Sequence, residues 1–157
     1  MAAPVSLEDI VETFELQSDE YLSFMDRESG EVHTVERALL RSAEGAAGED
    51  EKLDLPAWQE PEWALAKRFV SHPESFERLP TQYDVHEWEI LKNFADSVEN
   101  PRIARELRDA IHGAGAFRMF KSVVRRHHID RNWDDFRQKA LEQIARDWCE
   151  EHHIPWK

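Results

Sequence analysis

The sequence lacks the features that mark secreted and membrane proteins. It contains a single cysteine, Cys149, so it forms no intrachain disulfide, which is usual for proteins of a reducing compartment. Its apolar runs are only a few residues long, too short for a helix that crosses a bilayer. The opening residues, MAAPVSLEDI, show no basic stretch followed by an apolar one, so we expect no secretion signal. These absences predict a cytoplasmic protein with no membrane partner.

The remaining composition favours a folded chain with its own core. Hydrophobic residues make up 41% of the 157 residues, and six of them are tryptophan. That apolar content is too high for a disordered protein. A chain of this length buries roughly 70% of the surface that its unfolded form exposes. We therefore predict a single domain spanning residues 1–157.

Charge is distributed unevenly along the chain, whose net charge is −13. Residues 1–100 hold 8 Lys/Arg against 24 Asp/Glu, whereas residues 101–131 hold 8 against 3. The basic window has two interpretations. It meets an acidic partner such as nucleic acid, or it faces the protein's own acidic half, within the chain or across a homodimer. The overall negative charge favours the second interpretation, since it repels polyanions.

The first part of the chain, residues 1–41, predicts a helix followed by a β-hairpin. Ser6 suits the N-cap of the helix. Residues 21–25 and 32–35 are rich in strand-forming side chains, and DRESG between them supplies the turn. Because an isolated hairpin is only marginally stable, it must pack on helices or on a partner's strand. The next segment, residues 42–54, predicts an acidic linker.

Residues 55–157 predict a bundle of about five helices, since apolar side chains recur there at helical spacing. Capping residues, or prolines suited to a first turn, mark most of the helix starts. The predicted starts are Pro61, Asp84, Asn100, Gly115 and Asn132. The predicted fold class is α+β, mostly α: an N-terminal helix and hairpin, an acidic linker and a C-terminal helical bundle.

The motifs GAGAFRMFKSVV and WDDFRQKALEQIARDWCEEHHI resemble the signature of a bacterial family known as uncharacterised protein family 0158. The resemblance covers nearly the whole chain apart from the linker. It implies a small cytoplasmic bacterial protein with no established activity, cofactor or substrate. Family members usually read GRGAFRRFKD at the first motif. Here Ala114, Met119 and Ser122 replace two arginines and an aspartate, which removes two positive charges.

The glycine-rich corner at residues 113–121 carries the candidate binding site. A Gly-x-Gly segment that leads into a helix leaves backbone N–H groups free at a positive helix end, where an anion can bind. Basic side chains at helical spacing on the two adjoining helices would then form a groove. The candidate anion or nucleic-acid face consists of Arg105, Arg108, His112, Gly113, Gly115, Arg118, Lys121 and Arg125.

A structural interpretation of the same corner is simpler. The glycines let two helix backbones approach and turn sharply. The apolar side of the second helix is then buried, and the arginines solvate its outer face or pair with acids elsewhere. That buried side would consist of Ala116, Phe117, Met119, Phe120, Val123 and Val124. Phe117 and Phe120 offer stacking surfaces for bases only if they are exposed.

Other chemistry-bearing residues give no site. The doublets His127–His128 and His152–His153 place adjacent side chains about 100° apart on a helix, so we predict no metal site there. HEWEI at 86–90 has Ile90 where a zinc-binding helix needs its second histidine. Cys149 has no required base nearby in sequence, so a buried thiol is expected. We predict no cofactor and no catalytic residue.

The sequence therefore favours a non-enzymatic interaction or regulatory protein, with a protein partner or a second copy of the chain as its ligand. The first alternative is a nucleic-acid- or anion-binding protein that uses the basic helices of residues 102–126. The second alternative is an enzyme of unknown reaction. Exposed basic side chains would favour the first alternative, and basic side chains paired with acids would favour an interaction protein.

Overall fold

The structure is a computed structural model, and it describes residues 3–16, 19–45, 56–81 and 84–157. The chain divides into two compact units. The first unit comprises residues 1–82 and 145–157, and the second comprises residues 83–144. The first unit is thus larger than the predicted helix–hairpin segment, because it also takes in residues that were assigned to the bundle.

The first unit combines helices with a small antiparallel sheet. Its elements are α1 (Leu7–Glu15), β1 (Tyr21–Asp26), β2 (Val32–Glu36), α2 (Arg37–Gly45), α3 (Glu60–Ser71), β3 (Phe76–Arg78) and the last turns of α7 (Asp130–Glu151). Short 3₁₀ turns at Ala57–Gln59 and Pro73–Ser75 precede α3 and β3. The predicted hairpin is confirmed, since β1 pairs with β2 from Tyr21↔Glu36 to Met25↔Val32. The Ser6 side chain caps α1 by accepting from the Asp9 N–H.

Two elements of this unit were not predicted. Residues 76–78, within the segment predicted as a helical bundle, form the strand β3, which pairs with β1 and places β1 in the centre of the sheet. The hairpin is therefore supported by a third strand of its own chain as well as by helices. The helix α2 follows directly after β2 and runs to Gly45, so it takes in residues 42–45 of the predicted linker. Residues 46–54 of that linker lie outside the described residues.

One core cluster of the first unit lies on one face of the sheet, where α2 and α3 pack. Phe24 at the centre of β1 is fully buried. Its ring stacks on Phe69 of α3 at 4.4 Å between centroids and meets Phe76 of β3 edge-on at 5.2 Å. Aromatic pairs in these geometries stabilise a fold beyond the area that they bury. The cluster fixes α3 against the sheet.

The second unit consists of helices. They are α4 (Glu87–Ser97), α5 (Pro101–Ala110), α6 (Ala116–Arg126) and the first part of α7. The predicted start of α5 is confirmed: Asn100 accepts from the Arg102 and Ile103 N–H groups, and Pro101 occupies the first helical position. Aromatic rings from α4, α6 and α7 form the centre of the core. They are Phe94, Phe120, Trp133 and Phe136.

Two predicted helix starts were wrong. α4 begins at Glu87 with His86 at the N-cap position, rather than after a cap at Asp84. α7 begins at Asp130, so Asn132 lies inside the helix and the Trp133 N–H already donates to the Ile129 carbonyl at 3.0 Å. Both residues, an aspartate and an asparagine, are of the types that cap helices. In the structure, however, each helix begins at a different residue.

The fold class is α+β and mostly α, as predicted. In the described part of the chain, no helix combines the length and the apolar character that a membrane crossing requires.

Candidate anion-binding face

The corner before α6 is built by two glycines in conformations that other residues rarely adopt. Gly113 has φ +94°, and Gly115, the N-cap of α6, has φ +75° and ψ 22°. A Cβ added at either glycine would have no described atom within 4 Å. The glycines are therefore needed for the turn itself. The expectation that they allow two helix backbones to approach closely was wrong.

The first turn of α6 has an unusual charge pattern. Its N-cap, Gly115, has no side chain to accept from the free N–H groups, and the turn contains no acidic residue. Arg118 lies in this turn instead. The N-terminus of a helix already carries partial positive charge, so an arginine here adds to that charge. The start of α6 is therefore a favourable position for an anion.

The apolar side of α6 is only partly buried. Phe120, Val123 and Val124 are buried in the core, as predicted. Phe117 and Met119 were expected there too, but they are 49% and 55% exposed. The sequence pattern suggested burial because both residues are apolar, yet they lie on the solvent side of the helix. An exposed phenylalanine ring beside basic residues can stack on an aromatic ligand.

The exposed side of α6 forms a shallow depression of about 690 Å³. We call Phe117, Arg118, Lys121, Ser122 and Arg125 the α6 face. All five line the depression, together with Arg126. The structure thus brings together three of the predicted basic residues, namely Arg118, Lys121 and Arg125. Their spacing of three and four residues places them along one side of the helix.

The three cations of the α6 face are exposed, and none of them forms an ion pair with any described residue. Like charges three or four residues apart on a helix destabilise it by a few tenths of a kcal/mol each. Among the described residues, no acidic side chain pairs with these cations to offset that repulsion. An anionic ligand would do so.

Neighbouring basic residues are arranged differently. Arg126 donates to the Glu106 carboxylate at 2.8 Å, and His127 also contacts that carboxylate. These contacts from His127 and Arg126 lower the pKa of Glu106. Arg108 donates to Asp96 at 2.9 Å. Charge pairing within the unit therefore neutralises some cations and leaves the α6 face uncompensated.

The remaining predicted residues do not share this depression. Arg105, Arg108 and His112 are exposed on or just after α5. Among the described residues, the lining of the depression comes from α6, so the predicted groove between two basic stripes is not formed. The His112 ring lies 6.5 Å from the ring of Trp88, whose Nε1 donates to the Ile111 carbonyl at 3.0 Å. That contact anchors the end of α5.

The two histidine doublets have a structural explanation. Each follows the last turn of a helix, and its second histidine takes a left-handed conformation, with φ +57° at His128 and +56° at His153. The following isoleucine N–H donates back to the helix, from Ile129 to the Val124 carbonyl and from Ile154 to the Cys149 carbonyl. This is the Schellman arrangement that closes helix C-termini. The repeated HHI could have identified two helix ends from sequence.

The Cys149 thiol and the side chains able to bind metal ions decide which chemistry the described residues offer. Burial raises the pKa of the Cys149 thiol to about 11, and the neighbouring charge of Glu150 adds to the effect. The thiol is therefore protonated near neutral pH and is a poor nucleophile. In the described ranges, no three or more His, Cys, Asp or Glu side chains are grouped so that they could hold a metal ion.

Comparisons with protein-family models, with curated proteins and with solved structures found no match to this chain. The resemblance to uncharacterised protein family 0158 stays a prediction from its motifs.

Proposed function

We propose that this chain is a non-enzymatic binding protein whose α6 face holds a polyanion, and that the polyanion is single-stranded nucleic acid. One observation carries the proposal. The face presents three exposed cations without ion pairs among the described residues, beside an exposed phenylalanine. Cations that track a backbone next to an aromatic stacking surface are the combination that single-strand binders use.

The dimensions of the face favour a short stretch of one strand. Arg118 and Arg125 are seven residues apart, which is on the order of 10 Å along the helix axis. That span serves a few consecutive phosphates. Phe117 lies beside Arg118 at the start of the helix, so a base can stack on its ring while the adjoining phosphate meets the guanidinium.

Local charge is compatible with such a ligand. The second unit holds 11 Lys/Arg and 11 Asp/Glu, so the negative net charge of the chain comes from the first unit. A polyanion at the α6 face therefore meets a neutral unit with a locally basic surface. The acidic first unit still weakens long-range attraction, and we expect micromolar affinity that falls steeply with salt. We also propose a cytoplasmic location, which would give the protein access to RNA and DNA.

Fluorescence anisotropy of labelled single-stranded and duplex RNA and DNA, titrated with the protein at low and physiological salt, tests the proposal. We expect Arg118→Ala and Lys121→Ala each to weaken binding to every sequence and to lower the salt slope by about 0.7 for a single strand. Arg102→Ala and Lys139→Ala remove the same charge from exposed positions of the same unit outside the face. These two variants should bind almost as the unchanged protein does.

The proposed stacking of a base on Phe117 can be tested separately. Phe117→Ala should cost about 1–3 kcal/mol of binding free energy for single strands and little for duplexes. Met119→Ala is the matched control, since Met119 is an equally exposed apolar residue outside the lining. No binding at low salt, or equal losses from face and control variants, would refute the proposal. An acidic protein would then be the ligand to test at this face.

A further inference from the structure

The strand β2 lies at one edge of the sheet, and hydrogen bonds at its two ends show how its backbone is oriented. Before β2, the Asp26 N–H donates to the Glu31 carbonyl at 2.9 Å. After β2, the Arg37 N–H donates to the Glu20 carbonyl at 2.8 Å. Glu31 and Arg37 are thus hydrogen-bonded positions of the β1–β2 ladder. In an antiparallel pair, such positions alternate with positions whose backbone groups face away.

The alternation assigns every residue of β2. His33 and Val35 bond to β1, so the N–H and C=O groups of Val32, Thr34 and Glu36 face away from the sheet. The structure confirms this phase at Glu36, whose N–H donates outward to the Glu62 carboxylate at 3.0 Å. The outward backbone groups of Val32 and Thr34 form no hydrogen bond with any described residue. An edge with free groups like these is a template for another strand.

A groove of about 650 Å³ runs along this edge. The groove is lined by Val32 to Thr34 of β2 and by Pro61, Leu65 and other residues of α3. Trp58, just before α3, also lines the groove and is 73% exposed. A free strand edge that shares a groove with apolar side chains of a helix is an arrangement to which extended peptides add.

We propose that the groove binds an extended segment of a partner protein, which adds as a strand beside β2 and carries Lys or Arg around one apolar side chain. The segment forms roughly four backbone hydrogen bonds with Val32 and Thr34. Its apolar side chain packs against Trp58 and Leu65. The Glu62 carboxylate already occupies the outward N–H of Glu36, so the added strand ends there and is short.

Charge selects a basic segment over an acidic one. The first unit holds 22 Asp/Glu against 9 Lys/Arg. At the groove, Glu62 lies in the wall, and Glu31, which precedes β2, has a side chain that is 71% exposed. The one arginine of the wall, Arg68, is already paired with the Asp26 carboxylate at 2.9 Å. A basic segment is therefore attracted both by the unit and by the groove.

A second copy of the same chain fits less well. Val32 of one copy would have to face Thr34 of the other, with the two His33 residues opposite each other at the centre. This pairing brings together two acidic units, and like charges across an interface oppose association. The partner is therefore a different chain.

Binding of a labelled peptide, Lys-Thr-Thr-Leu-Thr-Thr-Lys, to the full chain tests the proposal by fluorescence anisotropy. The same peptide with Glu in place of both Lys residues should bind roughly fivefold or more weakly, as expected for two exposed charge pairs. Methylation of the peptide's backbone nitrogens distinguishes strand addition from other modes of peptide binding. Methyl groups on one alternate set of peptide nitrogens should weaken binding roughly tenfold or more, and methyl groups on the other set should leave it nearly unchanged.

Variants of the protein locate the site. Val32→Pro removes an outward N–H at the first position of an edge strand, where proline is tolerated. It should abolish peptide binding, whereas Val32→Ala keeps the N–H and should retain most of it. Trp58→Ala should weaken binding severalfold, while Leu16→Ala removes an exposed apolar side chain elsewhere and should have no effect. Arg118→Ala should leave peptide binding unchanged, which separates this surface from the α6 face.

Hydrogen exchange of the free protein gives a readout that needs no peptide. The Val32 and Thr34 amides should exchange much faster than those of His33 and Val35, and added peptide should slow them. Several results would overturn the proposal: equal effects of both methylated sets, no binding of the Lys peptide up to millimolar concentration, or protected Val32 and Thr34 amides in the free monomer. Protection that grows with protein concentration, with a dimer in sedimentation that Val32→Pro removes, would make a second copy the occupant.

Discussion

The Asp26 carboxylate and the Arg68 guanidinium, 42 residues apart in sequence, form a hydrogen-bonded ion pair at 2.9 Å. Asp26 ends β1 and is buried, while Arg68 lies on α3 and also covers the Phe76 ring at 5.0 Å. The second oxygen of Asp26 accepts from the Glu28 and Ser29 N–H groups. One carboxylate thus joins the hairpin turn to α3.

Replacing Asp26 with asparagine should destabilise the first unit. The variant keeps the size of the side chain but removes its charge, so the bonds from Arg68 and from the turn lose their charge-assisted character. We expect a loss of about 2 kcal/mol in the free energy of unfolding, measured with urea. Asp96→Asn breaks the half-exposed pair with Arg108 and should cost about 0.5 kcal/mol or less. Equal losses for the two variants would show that burial of the carboxylate does not increase its contribution to stability.

The same carboxylate predicts a pH dependence. Burial alone would raise the pKa of Asp26, but the Glu28 N–H, Arg68 and the Ser29 N–H outweigh it and hold the pKa below its usual range. A lowered folded-state pKa contributes stability that is complete above the unfolded value of about 4 and disappears as pH falls through the folded value. The difference in unfolding free energy between the unchanged protein and Asp26→Asn should therefore be constant from pH 7 to 5 and shrink below pH 4. Urea titrations across this range measure it, and a difference that grows on acidification would contradict the assignment.

Three glycine-to-alanine variants should separate backbone strain from steric clash. Gly45 lies in α2 with no described atom within 4 Å of an added Cβ, so alanine should be neutral or stabilise by up to about 1 kcal/mol. Gly113 has positive φ but open space, and alanine should cost about 1 kcal/mol. Gly30 has positive φ, and its added Cβ would lie 2.7 Å from the Pro4 carbonyl oxygen. There alanine should cost about 2 kcal/mol or more. Differential scanning calorimetry gives the order, and a different order would refute this account.

The Schellman ends of α6 and α7 predict how His153 responds to substitution. Its side chain is exposed and its φ is +56°, so the backbone conformation dominates the effect. Glycine should stabilise by about 0.5 kcal/mol, whereas valine, which is β-branched, should destabilise by about 1–2 kcal/mol. Chemical denaturation measures both. Valine as stable as histidine would show that the helix end relaxes to another conformation.

Cys149 should resist alkylation in the native state. Its side chain is fully buried, and a pKa of about 11 leaves little thiolate at pH 8. Mass spectrometry should detect slow labelling by iodoacetamide at pH 8 and fast labelling once urea unfolds the chain. Fast labelling of the folded protein would reopen the possibility of a reactive thiol.

The sequence predicted the elements whose signals are local. Asn100 followed by Pro101 marks a helix start within a few residues, and the residues DRESG indicate the hairpin turn. The strand β3 could not be predicted in this way, because three residues acquire strand geometry only by pairing with β1, some 50 residues earlier. Helix α2 follows β2 without any turn residue, so no local signal marks the change.

The candidate site shows the same limit. Spacing alone placed Arg118, Lys121 and Arg125 on one side of a helix, and the structure agrees. Whether a cation has an acidic neighbour depends on the packing of separate helices. Sequence could not show that Arg126 pairs with Glu106, or that Phe117 faces solvent while Phe120 is buried.

The discontinuous first unit constrains the order in which the chain can assemble during synthesis. Val5 is hydrogen-bonded to Pro155 and Lys157, and His152 contacts Glu77, so residues 145–157 complete a unit that begins at the other end of the chain. The ribosome synthesises every residue of the second unit before it synthesises residues 145–157, which make these contacts. The acidic first unit is therefore the last to be completed, although its helix and hairpin are synthesised first.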